Sequence, residues 1–211
     1  GTRVVAGQLL MKLDTTQAAA DAANAKSSKV DAALAAARAQ ALLAALAEHH
    51  TPLVAAVLDA PSGRQQEAQR MADGAWQEFG DKRNSGLEEL AKREAELDST
   101  QQEIAKLVAT VPLARTQAND YKALSADKYV AEHDYLSKEQ TALEQEHELA
   151  AQRSHAHELA AGIAEQRADI EASASQFRRE QLDALEKATE QRTQSGNDET
   201  KARTREALLS L

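Results

Sequence analysis

The sequence predicts an all-α protein: a long antiparallel α-helical hairpin, a coiled coil, with an additional N-terminal helix. Three observations predict it. Ala, Glu, Lys, Leu and Arg supply 116 of the 211 residues, the bias of long helices. Two stretches carry larger apolar residues at every seventh position. Those stretches are matched in length and flank one short aperiodic segment.

The rest of the composition narrows the class further. Six aromatics, three prolines and no cysteine leave no disulfide scaffold and no thiolate metal site. Alanine accounts for 46 residues, whereas Leu, Ile, Val and Phe together number 37. That apolar surface makes a thin seam rather than a thick core. A formal net charge of −9 argues against a nucleic-acid partner or an anionic membrane surface. No run approaches the ~18 consecutive apolar residues of a membrane span. No signal-peptide pattern opens the chain, which starts in mid-motif, so an anchoring segment is expected outside it.

Residues 1–14 differ from everything after them. Val4 and Val5, then Leu9, Leu10, Met11 and Leu13, flank Gly7-Gln8 and read as two short strands about a turn. Two strands bury little alone, so this segment needs further sheet. Asp14, Thr15 and Thr16 are good N-caps, and helix 1 is expected from Thr15 to His49. It is alanine-rich, with Val30, Leu34, Leu42, Leu43 and Leu46 as its larger side chains. His49 to Gly63, with Pro52 and Pro61, forms a connection; residues 15–63 are therefore helix 1 and its connection.

The second helix, residues 64–124, carries Trp76, Leu90, Leu97, Ile104, Val111 and Ala118 in one seven-residue phase, broken only by Arg83. Such a seam calls for a coiled-coil partner. Gly74, Gly80 and Gly86 weaken its early part by about 1 kcal/mol each relative to alanine. Pro112 is expected to kink or break the helix near Thr110. Residues 125–132 lose the periodicity and form the tip. A descending helix occupies 133–211, with Ala142, Leu149, Ala156, Ile163, Ile170, Phe177 and Ala184 again at sevens. Ser195-Gly196-Asn197-Asp198 reads as an interruption near its end. Each arm of about 60 residues reaches about 90 Å at 1.5 Å per residue.

Chemistry is sparse. His155 and His157 stand two apart and point to different helix faces. Glu144 and His147 have the Glu-x-x-His spacing of di-iron bundles, but helix 2 holds no histidine to complete a site. No phosphate loop follows a strand, and no nucleophile, base and orienter are set by spacing. Carboxylates such as Glu94 and Glu96 alternate with Lys92 and Arg93, the pattern of a solvated face. Neither catalysis, nor a metal, nor a cofactor is expected.

Gly1, Val4, Gly7, Leu10 and Leu13 match half of the motif of biotin and lipoyl carrier domains. The turn that would carry the modified lysine holds Asp14-Thr15-Thr16-Gln17 instead, and Lys12 reads as an unmodified strand residue. With the lipoyl-type β half-motif of residues 1–14, the chain resembles the haemolysin D family of periplasmic adaptor (membrane fusion) proteins. In that family a helical hairpin is inserted between two lipoyl halves. The resemblance also rests on the tip, Asp120-Tyr121-Lys122-Ala123-Leu124-Ser125-Ala126-Asp127-Lys128-Tyr129-Val130-Ala131-Glu132. Tyr135-Leu136-Ser137-Lys138-Glu139-Gln140 and Phe177-Arg178-Arg179-Glu180-Gln181-Leu182 look like the family's returning arm. The alanine-rich helix 1 looks more like the toxin-secreting branch than the drug-efflux adaptors.

The resemblance implies a non-catalytic subunit in the periplasm, anchored in a Gram-negative inner membrane by a segment absent from this chain. It implies self-assembly into a ring, expected to be a hexamer. The ring would link an inner-membrane ABC transporter to a TolC-like outer-membrane channel for export of a polypeptide cargo by type I secretion. The family's tip meets the channel through Arg, three residues, Leu, six residues, then Ser or Thr. Those positions here read Asp120, Leu124 and Ala131, so only the leucine is shared. Leu124, Tyr129 and Val130 are then the expected apolar contact, with Asp120 and Lys128 supplying charge complementarity beside Ala131. A structural coiled coil that oligomerises without a channel partner and a multidrug-efflux adaptor are the alternatives.

Overall fold

A computed structural model describes residues 16–209. The β half-motif read in residues 1–14 lies outside them. Three helices make up the regular structure of the described residues: α1 (Thr16–Glu48), α2 (Ser62–Ala126) and α3 (Glu132–Leu209). They divide into two compact units. The first holds all of α1 with the flanking parts of α2 and α3, up to Asp81 and from Ala174; the second comprises Lys82–Ser173.

In the first unit α1 and α2 run parallel. Arg64 Nη1 on α2 meets Asp31 of α1 at 2.8 Å, and seven residues later on both helices Arg38 Nη1 meets Met71 Sδ at 2.9 Å. Parallel neighbours require the chain to travel back. From Glu48 to the level of Asp31 is about 26 Å at 1.5 Å per residue, which about ten extended residues cover. The connection is accordingly extended. It leaves α1 through His49 in the left-handed conformation (φ 56°) and turns at Asp59 (φ 64°) into α2.

Two glutamines one turn apart hold this strap against α2. Gln69 donates to the Pro52 carbonyl (2.9 Å) and accepts from the Val54 N–H (2.8 Å). Gln65 accepts from the Val57 N–H (3.2 Å) and donates to the carbonyls of Val54 and Ala55. Side-chain amides thus replace the ladder that an extended backbone needs when no strand lies beside it. Val54 turns inward, 6% exposed, while Leu53 and Leu58 point outward.

The core of this unit packs Val30, Leu34, Ala37, Ala41 and Leu42 of α1 on Ala68, Ala72 and Phe79 of α2 and on Phe177 of α3. Their 4-3-4 spacing on α1 is one helical stripe. Ala45 and Ala72 are wholly buried, because methyl side chains let the backbones approach closely. Near the C-terminal end of α1, Trp76, Phe79 and Phe177 close the unit, with Phe79 stacked on Phe177 at 4.6 Å between ring centroids. By length and composition alone α1 could cross a membrane, at a mean hydropathy of 1.4. Here Val30, Leu34 and Leu42 are buried in the core, while Ala20, Ala23, Ala44 and Ala47 are exposed.

The interruption expected at Ser195–Asp198 does not form. α3 continues through it because this turn docks on α1: Ser195 and Glu199 are buried, and Lys29 stands over Gly196. Glu199 receives Lys29 Nζ at 3.1 Å and Arg203 Nη2 at 2.6 Å. The Lys29 hydrogen bond and the neighbouring cations hold the Glu199 carboxyl below its usual pKa of 4.5, against the opposing effect of desolvation. A lowered folded-state pKa contributes stability above the unfolded pKa and loses it as pH falls through the folded value. Acidification below about pH 4.5 should therefore loosen α1 from α3. Glu199→Gln should reduce the difference in melting temperature between pH 7 and pH 3; an unchanged difference would remove Glu199 from the acid response.

The second unit is a two-helix antiparallel pair. On α2 the inward positions follow 4-3 spacing, with Leu90, Leu97, Ile104, Val111 and the fully buried Ala118 in one rank. The other rank contains Gly86, Arg93, Thr100, Leu107, Ala114 and Tyr121, and across the seam α3 adds Gln145, Gln152 and Gln166. The seam is therefore half polar. Gln166 Nε2 donates to the Gly86 carbonyl (3.2 Å), and Arg93 Nη1 donates to the Gly162 carbonyl (3.4 Å). Gly86, which costs helix propensity, allows this close approach: a Cβ there would stand 3.0 Å from Ile170 Cγ1.

Pro112 does not break α2, which runs on to Ala126. A proline frees the carbonyl four residues earlier. That residue is Val108, 45% exposed, so water can satisfy the group. Thr116 Oγ1 donates to the Pro112 carbonyl at 2.9 Å.

Candidate functional site

The tip of the second unit is where the sequence placed its candidate residues, and the geometry there follows from how α2 stops. Tyr129 N–H donates to the Leu124 carbonyl (2.8 Å) and Lys128 N–H to the Ser125 carbonyl (3.0 Å). With Lys128 left-handed (φ 63°), these two bonds form a Schellman motif, which satisfies carbonyls that the helix end would otherwise orphan. A lysine there bears a steric cost that glycine avoids. Lys128→Gly should stabilise the tip by about 0.5–1 kcal/mol, read as a higher melting temperature; a lower one would show that the lysine side chain holds the turn.

The chain re-enters helix at once. Asp134 N–H and Tyr135 N–H both donate to the Ala131 carbonyl, which makes Ala131 the N-cap of α3. Its methyl group offers no side-chain cap, whereas a serine or threonine would. Glu132 and Asp134 in the first turn compensate through the helix dipole.

Each candidate residue has a definite place. Asp120 and Leu124 lie one turn apart on the last two turns of α2, Asp120 exposed and Leu124 41% exposed. Tyr129 is the most exposed large apolar side chain of the tip, at 78%. Val130 is half-buried and turns inward, so it supports the turn more than it offers contact; Lys128 and Ala131 are exposed. The structure thus brings Leu124 and Tyr129 together at the apex through one backbone hydrogen bond.

Two features were not singled out from the sequence. A groove of about 480 Å³ runs along one flank of the tip, lined by Lys122, Ser125, Ala126, Lys128, Val130, Glu132 and Tyr135. Below it on α2, Arg115 binds Glu146 through two nitrogens (2.8 and 2.6 Å) and Glu139 through the third (2.8 Å). Hydrogen bonding from Arg115 holds the Glu146 carboxyl below its ordinary pKa. The signal was available, since Glu139 and Glu146 stand seven apart beside the seam of α3. His155 meets Glu96 at 3.6 Å on the opposite flank. Among the described residues no group of three or more metal-ligating side chains converges.

A capped, exposed turn at the end of a polar-faced helical pair defines a helical-hairpin module. The chain belongs to the family of the CyaD alpha-helical hairpin domain, whose model matches residues 14–209; this is a family of type I secretion membrane fusion proteins. Its fold is that of the soluble domain of LipC, a membrane fusion protein of a type I secretion system. The two superpose with a TM-score of 0.81 at 18% identity, over 100% of this chain and 80% of that one. No curated protein matches the sequence. Family and fold are those of a membrane fusion adaptor, a class placed in the periplasm and held at the inner membrane, where it partners a transporter and an outer-membrane channel.

Proposed function

We propose that this chain is the helical-hairpin part of a non-catalytic adaptor that joins an inner-membrane ABC transporter to a TolC-like outer-membrane channel during export of a polypeptide. The observation that carries the reading is the tip. Leu124 and Tyr129, large and apolar, stand exposed on a turn fixed by two backbone hydrogen bonds. Such anchored apolar groups make contact with little ordering cost.

In this reading Asp120, Leu124, Lys128, Tyr129, Val130 and Ala131 form the docking end. The usual hydrogen-bonding Arg and Ser or Thr are replaced by Asp120 and Ala131, so contact is apolar at the centre and charged at its edge. Several copies arranged in a ring would present several tips at once, and multivalency would make weak single contacts sufficient. The adaptor would stand in the periplasm, anchored in the inner membrane, with α1 and its strap bracing the base of the arms.

The reading is tested by affinity purification of the tagged protein from the envelope of cells exporting cargo. Both the transporter and the outer-membrane channel should be recovered with it. Recovery of the transporter without the channel, under active export, would contradict the proposal.

A further inference from the structure

The two flanks of the tip carry opposite charge. On one side of Leu124, Asp120 lies four residues before it and Asp127 three after it, which makes a single helical stripe. Asp127 still donates its N–H to the Ala123 carbonyl and so belongs to that stripe. On the other side the groove holds Lys122 and Lys128. This second flank also carries the cross-helix pairs Arg115–Glu139, Arg115–Glu146 and Arg167–Glu94. Lower on the arms its charges are thus matched within the chain. At the tip they are not: among the described residues Asp120, Asp127, Lys122 and Lys128 make no ion pair. Glu132, on the groove wall, leaves a net positive charge there.

We infer that the lysine groove of one tip receives the Asp120–Asp127 stripe of a second copy, so that neighbouring tips interlock laterally, acid flank to basic flank. A contact between two different patches of identical chains repeats in one direction, and it closes a ring when the rotation permits. The groove's size suits side chains of carboxylate length. Ser125 and Tyr135 add hydroxyl donors for a carboxylate beside the ammonium groups. The lateral contact shares Asp120, Leu124 and Lys128 with the docking end and leaves the apex, Tyr129, free. The inference rests on the proposed assembly of several copies, and it goes further by naming the faces that meet.

The test uses the protein in its native cells, with two differently tagged copies, one carrying Leu124→Cys on the acid flank and the other Ala126→Cys in the groove. The chain has no other cysteine. Oxidation should join Leu124→Cys to Ala126→Cys, with little joining of Ala126→Cys to itself. Asp120→Lys with Asp127→Lys, or Lys122→Glu with Lys128→Glu, should lower this product about tenfold through like-charge repulsion. All four substitutions together should restore it, because each neighbour then presents the reversed charge. Equal joining of Ala126→Cys to itself, or indifference to charge reversal, would overturn the inference. Joining of Ala126→Cys to the channel instead of to a second copy would also overturn it and assign the groove to the channel. A cysteine at Tyr129 reports the channel contact separately, so loss of that contact with the copy-to-copy product intact would count against the docking reading alone.

Discussion

Phe177→Ala should destabilise the first unit by about 3–5 kcal/mol, the usual cost of removing a buried aromatic and leaving a cavity. Phe177 is 9% exposed and is, among the described residues, the only large residue by which α3 enters the core cluster, stacked on Phe79 and beside Trp76. Four of the nine other buried members of that cluster are alanine, which contributes little burial free energy per residue. Without the ring, α1 and its strap should separate from α3 at lower denaturant concentration. Trp76, the sole tryptophan, reports the event directly by fluorescence. Phe177→Leu, which fills part of the space, should recover much of the loss. A midpoint for Phe177→Ala within error of the parent would show that the aromatic trio does not hold the unit.

The second large effect is functional. Leu124→Asp combined with Tyr129→Asp should reduce channel affinity about 10²–10³-fold, as two central contact residues at about 2 kcal/mol each would, and export should fall with it. Stability should hardly change, because both side chains are exposed and the turn is held by backbone hydrogen bonds. That split separates docking from folding. Normal export by the doubly substituted protein would show that the apex is not the docking surface, whatever its shape.

Much of the fold is visible in residue spacing. Leu90, Leu97, Ile104, Val111 and Ala118 lie in the seam at their seven-residue interval, because the 4-3 pattern of apolar residues leaves a helix only one face to bury. At the tip α2 runs two residues past Leu124, to Ala126, before the turn. What spacing does not reveal depends on tertiary contact. Nothing local indicates that Ser195–Asp198 stays helical; docking against Lys29 decides it. Nor does the connection's composition show that α1 and α2 are parallel. That follows from Gln65 and Gln69 gripping an extended backbone, and each glutamine alone looks like a surface residue. Pro112 reads as a break until its freed carbonyl is placed on an exposed face.

The candidate site divides in the same way. Asp120, Leu124 and Ala131 were located by their resemblance to a family pattern. The left-handed Lys128 that sets the apex was not, since glycine is the usual residue there. The lysine groove assembles residues from α2, the turn and α3, and it becomes apparent only when the helices are paired.

Because the chain has no cysteine, a single introduced thiol tests the central claim most directly. With Tyr129→Cys in the protein expressed in its native cells, a thiol-reactive photocrosslinker should capture the outer-membrane channel. The same label at Gln101, an exposed residue in mid-arm, should not. Channel captured from Tyr129 alone is the result the account predicts. Channel captured from neither position while export proceeds, or equally from both, would contradict an adaptor that docks through its tip.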